Sequence, residues 1–78
     1  MYYAYILKLA NNKYYIGSSS NLRLRIKEHN LGRVTSTKNC RPLSICFYAA
    51  FLNKVTAVKF EKYLKTNSGF AFRNKRLI

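Results

Sequence analysis

Acidic residues are what this chain most lacks. Among 78 residues there is no aspartate and there are only two glutamates, Glu28 and Glu61, against 15 lysines and arginines. That scarcity excludes whole classes of chemistry. A two-metal phosphodiesterase needs several carboxylates converging on paired ions, and a nucleophilic triad needs an acid to orient its base. Other metal-binding side chains are as few: Cys40, Cys46 and His29. A structural zinc site wants four Cys or His ligands, so zinc is excluded by count. The two cysteines read as ordinary reduced thiols of a cytoplasmic protein. Gly17, Gly32 and Gly69 are too few and too dispersed for a phosphate-cradling loop. No run approaches the roughly 18–20 apolar residues that span a bilayer. The N-terminus lacks the basic region that precedes the apolar segment of a signal peptide, and there is no internal repeat.

Positive charge is what the chain has in excess. A net charge of +13 says little about fold but names a polyanion as the obvious partner. A basic membrane-surface module is the other electrostatic reading, and the sequence has no strongly amphipathic helix with a wide basic face to support it. The length makes a single domain, residues 1–78, whose small core buries roughly 60–65% of the surface its unfolded chain exposes.

The chain is organised around its first seventeen residues. Tyr2 to Leu7 is aromatic and aliphatic enough for a strand. Asn11-Asn12 breaks it, and Tyr14 to Gly17 reads as the returning strand of a hairpin. Five of the seven tyrosines lie here. Tyr2 and Tyr14 read as core fillers, whereas Tyr3, Tyr5 and Tyr15 could present hydroxyls on the sheet face. Register decides whether Tyr5 and Tyr15 can act together. A two-residue turn at Asn11-Asn12 would set Tyr5 opposite Ser18 and put Tyr15 on the other face. Joint chemistry requires a loop with an odd number of residues, or a bulge, with Asn11 or Asn12 in left-handed geometry.

Beyond the hairpin, Ser18-Ser19-Ser20-Asn21 offers caps for a helix through about Asn30, which Gly32 is placed to end in left-handed geometry. Leu22, Ile26 and His29 fall at i, i+4 and i+7 with Arg25 beside them, so the inward stripe of this helix carries an imidazole and a cation. Arg33 to Pro42 reads as a polar, basic loop. Leu43 to Leu52 is the longest apolar stretch; lacking clean alternation, it predicts a central strand buried on both faces. Asn53 can cap a second helix to about Thr66. A third, short helix from Ser68 or Gly69 would pack Phe70, Phe72 and Leu77 and end in Arg73, Lys75 and Arg76. The order β-β-α-β-α-α gives an α+β fold, a small three-stranded antiparallel sheet flanked by helices.

The second helix holds the most informative residue. Ala57, Phe60 and Leu64 form its apolar stripe, and Glu61 lies inside that stripe, where a carboxylate is costly unless compensated. The alternative is a solvated Glu61–Lys65 pair at i, i+4, worth a few tenths of a kcal/mol. Glu28 lies away from its helix's apolar face and reads as a surface charge near Arg23, Lys27 or Arg25. The chemistry that survives is one carboxylate holding one Mg²⁺, which keeps its waters and takes its other ligands from a substrate phosphate. Tyrosine hydroxyls, an arginine and a histidine complete a site for phosphodiester hydrolysis.

The pattern Tyr3-Ala4-Tyr5, Tyr15-Ile16-Gly17, Arg25, His29 and Glu61 resembles the GIY-YIG nuclease superfamily, and most closely its small standalone YhbQ-like members. The resemblance covers nearly the whole chain and includes Ser36-Thr37-Lys38, Arg41-Pro42 and Glu61 to Lys65. Tyr3-Ala4 departs from the Gly-Ile of the motif's first half, and Phe70 stands where many relatives carry a basic residue. Asn67 is a candidate for an asparagine found in larger members. The resemblance implies a metal-dependent endonuclease acting on DNA ahead of RNA, structure-dependent or weakly sequence-specific, with a place in DNA repair or recombination. It makes Tyr5 the general base or its immediate partner, since an unperturbed phenol with a pKa of ~10 needs help from Arg25 and metal charge. Tyr15 would hold Tyr5 or a phosphate oxygen, and Arg25 would stabilise the phosphate. His29 would orient a tyrosine or relay its proton, and Glu61 would anchor one Mg²⁺ or Mn²⁺. Lys13, Lys38, Arg41, Arg73, Lys75 and Arg76 are candidates for non-specific phosphate contacts. Two other readings stay open: a non-catalytic nucleic-acid-binding module, and a catalytic module targeted by a partner protein.

Overall fold

A computed structural model describes residues 1–78. The hairpin joins β1 (Tyr2–Lys8) to β2 (Tyr14–Ser19) in the even register that shared chemistry requires: Tyr5 faces Gly17 and Leu7 faces Tyr15. The Leu9 amide donates to the Lys13 carbonyl at 2.9 Å, leaving a three-residue loop in which Asn12 takes a φ of 66°. Asparagine adopts this left-handed conformation at little cost, so it supplies the odd residue that puts both tyrosines on one face.

α1 (Leu22–Asn30) begins at Asn21, whose side chain accepts from the Leu24 amide at 3.1 Å. It ends at Gly32, with a φ of 77°. There the Gly32 amide donates to His29 and the Arg33 amide to Glu28, the paired bonds of a left-handed helix stop. Leu22 and Ile26 pack on the sheet face of Tyr5, Leu7 and Leu43.

The strand order is β2-β1-β3, with β3 spanning Ser44–Phe51. This corrects the expectation that the Leu43–Leu52 stretch is central. β1 is the strand covered on both faces, with Ala4, Tyr5, Ile6 and Leu7 all buried in succession. β3 is an edge strand whose inward residues do alternate, Phe47, Ala49 and Phe51. Apolar Ile45, Cys46 and Tyr48 on exposed positions masked that alternation.

The opposite sheet face carries the second core, Ile6 and Ile16 against Leu64, Phe60 and Leu77. Leu64 and Phe60 belong to α2 (Lys54–Leu64), capped by Asn53. α3 (Asn67–Arg76) follows, capped by Thr66 and starting one or two residues before the Ser68 or Gly69 expected from the sequence. Its inward face is not Phe70 and Phe72, which are exposed, but Gly69 and Arg73. A β-carbon on Gly69 would run into the Tyr63 carbonyl, so glycine sets how closely α3 approaches α2. No helix is long and apolar enough to cross a membrane.

Candidate functional site

The site is built on the α1 face of the hairpin. Gly17, opposite Tyr5, leaves the space that the Tyr5 ring fills. Tyr5 is only 1% exposed, and its hydroxyl lies 3.1 Å from His29 Nε2. His29 is wholly buried, and its Nδ1 lies 2.8 Å from Thr37 Oγ1. The Thr37 hydroxyl has its own acceptor, the Val34 carbonyl, at 3.5 Å. That assignment gives Nδ1 the imidazole proton and leaves Nε2 to accept from the Tyr5 phenol. The result is a buried chain of hydrogen bonds, Tyr5 to His29 to Thr37 to Val34.

Tyr15 closes this cluster. Its ring centroid is 6.4 Å from that of Tyr5 and 4.9 Å from that of His29. Arg25, half-exposed one helical turn before His29, has its guanidinium against the Tyr5 hydroxyl. It also pairs with Glu28 at 3.6 Å, as expected of that acid. Electrostatics keeps the resting cluster neutral beneath the cation. Burial pushes the Tyr5 phenol above its ordinary range, although Arg25 opposes the shift. Burial, and then the Arg25 charge, holds His29 below its ordinary value. At neutral pH the pair is therefore phenol and neutral imidazole.

Glu61 stands on the other side of the edge strand. Its Oε1 accepts from the Ser18 hydroxyl at 2.6 Å, and Ser18 belongs to the opposite sheet face from Tyr5. Its Oε2 accepts from Lys65 Nζ at 2.8 Å, so the i, i+4 pair forms as well. Burial alone would raise the Glu61 pKa, but the hydrogen bonds from Lys65 and Ser18 outweigh it and hold the carboxyl below its usual range. Glu61 therefore stands apart from the Tyr5–His29 hydrogen-bond chain. The Tyr5 hydroxyl meets His29 and Arg25 and the Tyr15 ring lies edge-on to His29, while Glu61 acts from the α2 side of the sheet, close enough for its charge to oppose ionisation of Tyr5.

No three His, Cys, Asp or Glu side chains converge anywhere. The donor set thus fits one hard cation held by a single ionised carboxylate and otherwise by water and substrate oxygens, with Glu61 as its protein ligand. Of the basic residues, Lys13, Lys38, Lys75 and Arg76 are exposed. Arg41 is also exposed, but its guanidinium donates to the Lys38 and Asn30 carbonyls. Arg73 is a correction: it is buried, 4.9 Å from the Tyr14 ring centroid and 4.3 Å from that of Phe70. Two aromatic faces retain it as a packing residue instead of a surface phosphate contact. Asn67 opens α3 and is exposed.

Sequence reasoning missed two hydroxyls, those of Thr37 and Ser18. Thr37 sits in a loop with no periodicity, and its only signal was the Ser36-Thr37-Lys38 stretch. Ser18 was read as a helix cap, a task that falls to Asn21.

Known proteins match this arrangement along its length. The chain is 35% identical over 68 residues to a UPF0213 protein of Staphylococcus haemolyticus, covering 86% of this chain and 83% of that one. It is 40% identical over 68 residues to the structure-specific endonuclease subunit slx1 of Schizosaccharomyces pombe, covering 77% of this chain but 25% of the relative. A UPF0213 protein of Bacillus halodurans, solved in solution by NMR, shares the fold with a TM-score of 0.60 at 24% identity, over 99% of this chain and 87% of that one. The family model for the GIY-YIG catalytic domain matches residues 1–76. With the tyrosine pair, arginine and histidine of the motif gathered on the α1 face of the sheet, the chain belongs to the GIY-YIG nuclease family.

Proposed function

We propose that this protein is a metal-dependent endonuclease that hydrolyses phosphodiester bonds in DNA, with structure-dependent or weak sequence preference. The observation that carries the reading is the buried Tyr5–His29–Thr37 chain beneath Arg25. It sets a phenol and a neutral imidazole, two groups that can pass a proton, directly beneath a cation.

Each group then has a task. A phosphate drawn to the Arg25 guanidinium arrives over the Tyr5 phenol, and the cation stabilises charge developing on its oxygens. Tyr5 takes a proton from the attacking water as its own passes to His29 Nε2, leaving an imidazolium whose Nδ1–H stays on Thr37. Burial of the acceptor makes that imidazolium short-lived, which favours return of the proton after the bond breaks. Tyr15 holds the His29 ring edge and the phosphate side of the pocket. A divalent ion on Glu61 supplies, when bound, stabilisation of the leaving oxygen.

The test is incubation with labelled single-stranded, duplex and branched DNA and with RNA, in Mg²⁺ or in EDTA, beside Glu61→Ala. Cleavage is expected in Mg²⁺ alone and lost in Glu61→Ala, whose binding stays equal or tightens because a negative charge is gone. Wild-type cleavage by Glu61→Ala would sink the single-carboxylate mechanism. A second reading, a catalytic module directed by a partner, is favoured by slx1 being a subunit and four times longer than the matched region. It predicts weak activity alone and stimulation by the partner.

A further inference from the structure

α1 covers the β2 side of the tyrosine face and leaves the β3 side open. Between helix and strand runs a groove of about 500 Å³, within the roughly 300–1,000 Å³ range of small-molecule sites. Tyr3, Ile45 and Tyr48 form its floor, Leu22 and Ile26 its wall, and Arg23 its rim. Tyr48 faces Tyr5 directly across the strands, and Tyr3 lies two residues from Tyr5 on the same face. The groove therefore adjoins the Tyr5–His29 cluster.

Its chemistry is specific. The Tyr3 and Tyr48 rings meet at an angle, with centroids 6.3 Å apart and planes at 60°, so they are not stacked flat on one another. Tyr48 remains 56% exposed, so part of its ring is open to a ligand. Neither glutamate lines the groove, and the +13 chain around it favours a ligand with anionic linkages. An aromatic floor, aliphatic wall and arginine rim in a cationic protein suit a flat ring carried on a phosphate backbone.

We infer that this groove is a stacking site for an unpaired nucleobase adjoining the scissile phosphate, with Tyr48 as the platform and Tyr3 as its edge. In a duplex both faces of each base are already covered by neighbours, so only an extruded or single-stranded base can enter. The proposal deepens the nuclease reading by naming the substrate class as strands with an unpaired nucleotide at the cut. It is tested by binding alone, in EDTA, so a failure of catalysis leaves it standing or falling separately.

The probes are single-stranded DNA and RNA oligonucleotides carrying one 2-aminopurine, and a fully paired DNA duplex of the same length, titrated with wild type, Tyr48→Ala, Tyr48→Phe and Tyr3→Ala. Stacking is expected to quench 2-aminopurine with wild type and Tyr48→Phe. Tyr48→Ala should lose that quenching and bind single strands on the order of tenfold more weakly, with duplex affinity unchanged. Thermal unfolding of each variant separates a lost ring from a lost fold, and Tyr48→Phe keeps the ring if Tyr48→Ala proves unstable. Retained quenching in Tyr48→Ala, or equal loss on single strand and duplex, would overturn the site. DNA and RNA arms show which strand it takes.

Discussion

A β-carbon on Gly17 would fall 2.6 Å from the Tyr5 hydroxyl oxygen and 2.7 Å from the ring carbon that bears it. Both distances are far inside van der Waals contact, and Tyr5 has no free volume to retreat into, because His29 stands against its other side. Gly17→Ala should therefore push the hydroxyl off His29 Nε2. The expected outcome is cleavage reduced to within a few-fold of Tyr5→Phe, with duplex binding intact and stability lowered by about 1–3 kcal/mol. A Gly17→Ala enzyme at full rate would mean that the Tyr5 hydroxyl does not take part. Much of this was legible in the sequence. Arg25 and His29 could be placed together from helical spacing, which acts over a few residues, whereas Tyr15 joins Tyr5 only through the hairpin register, which strand alternation leaves open and the family resemblance favoured. Thr37 could not, since its place depends on the loop after Gly32 folding back under α1, with the Thr37 and Lys38 amides both bonded to the Val34 carbonyl.

Among the elements, β1 and α3 show why apolar content is a poor guide to position. β1 carries three tyrosines in its first four residues, yet α1 on one face and α2 on the other bury Ala4 to Leu7. Which strand ends up central depends on the order of pairing, which no local pattern encodes. In α3 the two phenylalanines look like anchors, but Phe70 is 52% exposed and the contact surface runs through Gly69, Arg73 and Leu77. The reason is distance. A β-carbon at Gly69 would collide with Tyr63 and Leu64 backbone atoms, and main chain cannot rotate aside. In an exposed helix, Gly→Ala gains about 1 kcal/mol through propensity. Here the sign should reverse, and Gly69→Ala should lower the melting temperature by several degrees, each lost kcal/mol costing roughly 4–8 °C in a domain of this size. A raised melting point would show that α3 is free to shift away from α2.

Over the whole molecule, charge sets both the pH range and the grip on substrate. His29 is held below its unfolded value, so the unfolded state binds the proton more readily and its contribution to stability is lost as pH falls from about 6.5. Glu61 is lowered too, so its contribution remains above about 4.5 and fades in stronger acid. Tyr5 is raised, so its contribution holds below about 10 and is lost as pH climbs through the folded value. Burial also raises the Cys46 thiol above its ordinary 9.0, so stability should form a plateau between roughly pH 6.5 and 9, and denaturant midpoints measured across that range check it. The same charge governs binding, through counterions released from phosphates. Neutralising Lys38 with Arg41, or Lys75 with Arg76, should weaken affinity about equally for unrelated sequences and flatten the slope of log affinity against log salt by roughly 1–2 units. Arg73 provides the contrast, because its guanidinium lies against Tyr14 and Phe70 and not toward solvent. Arg73→Ala should leave the salt slope nearly unchanged and lower stability instead, through lost packing. A slope that flattens as much for Arg73→Ala as for a surface pair would place that arginine on the phosphate backbone, and binding insensitive to salt would remove the polyanion reading of the +13 charge altogether.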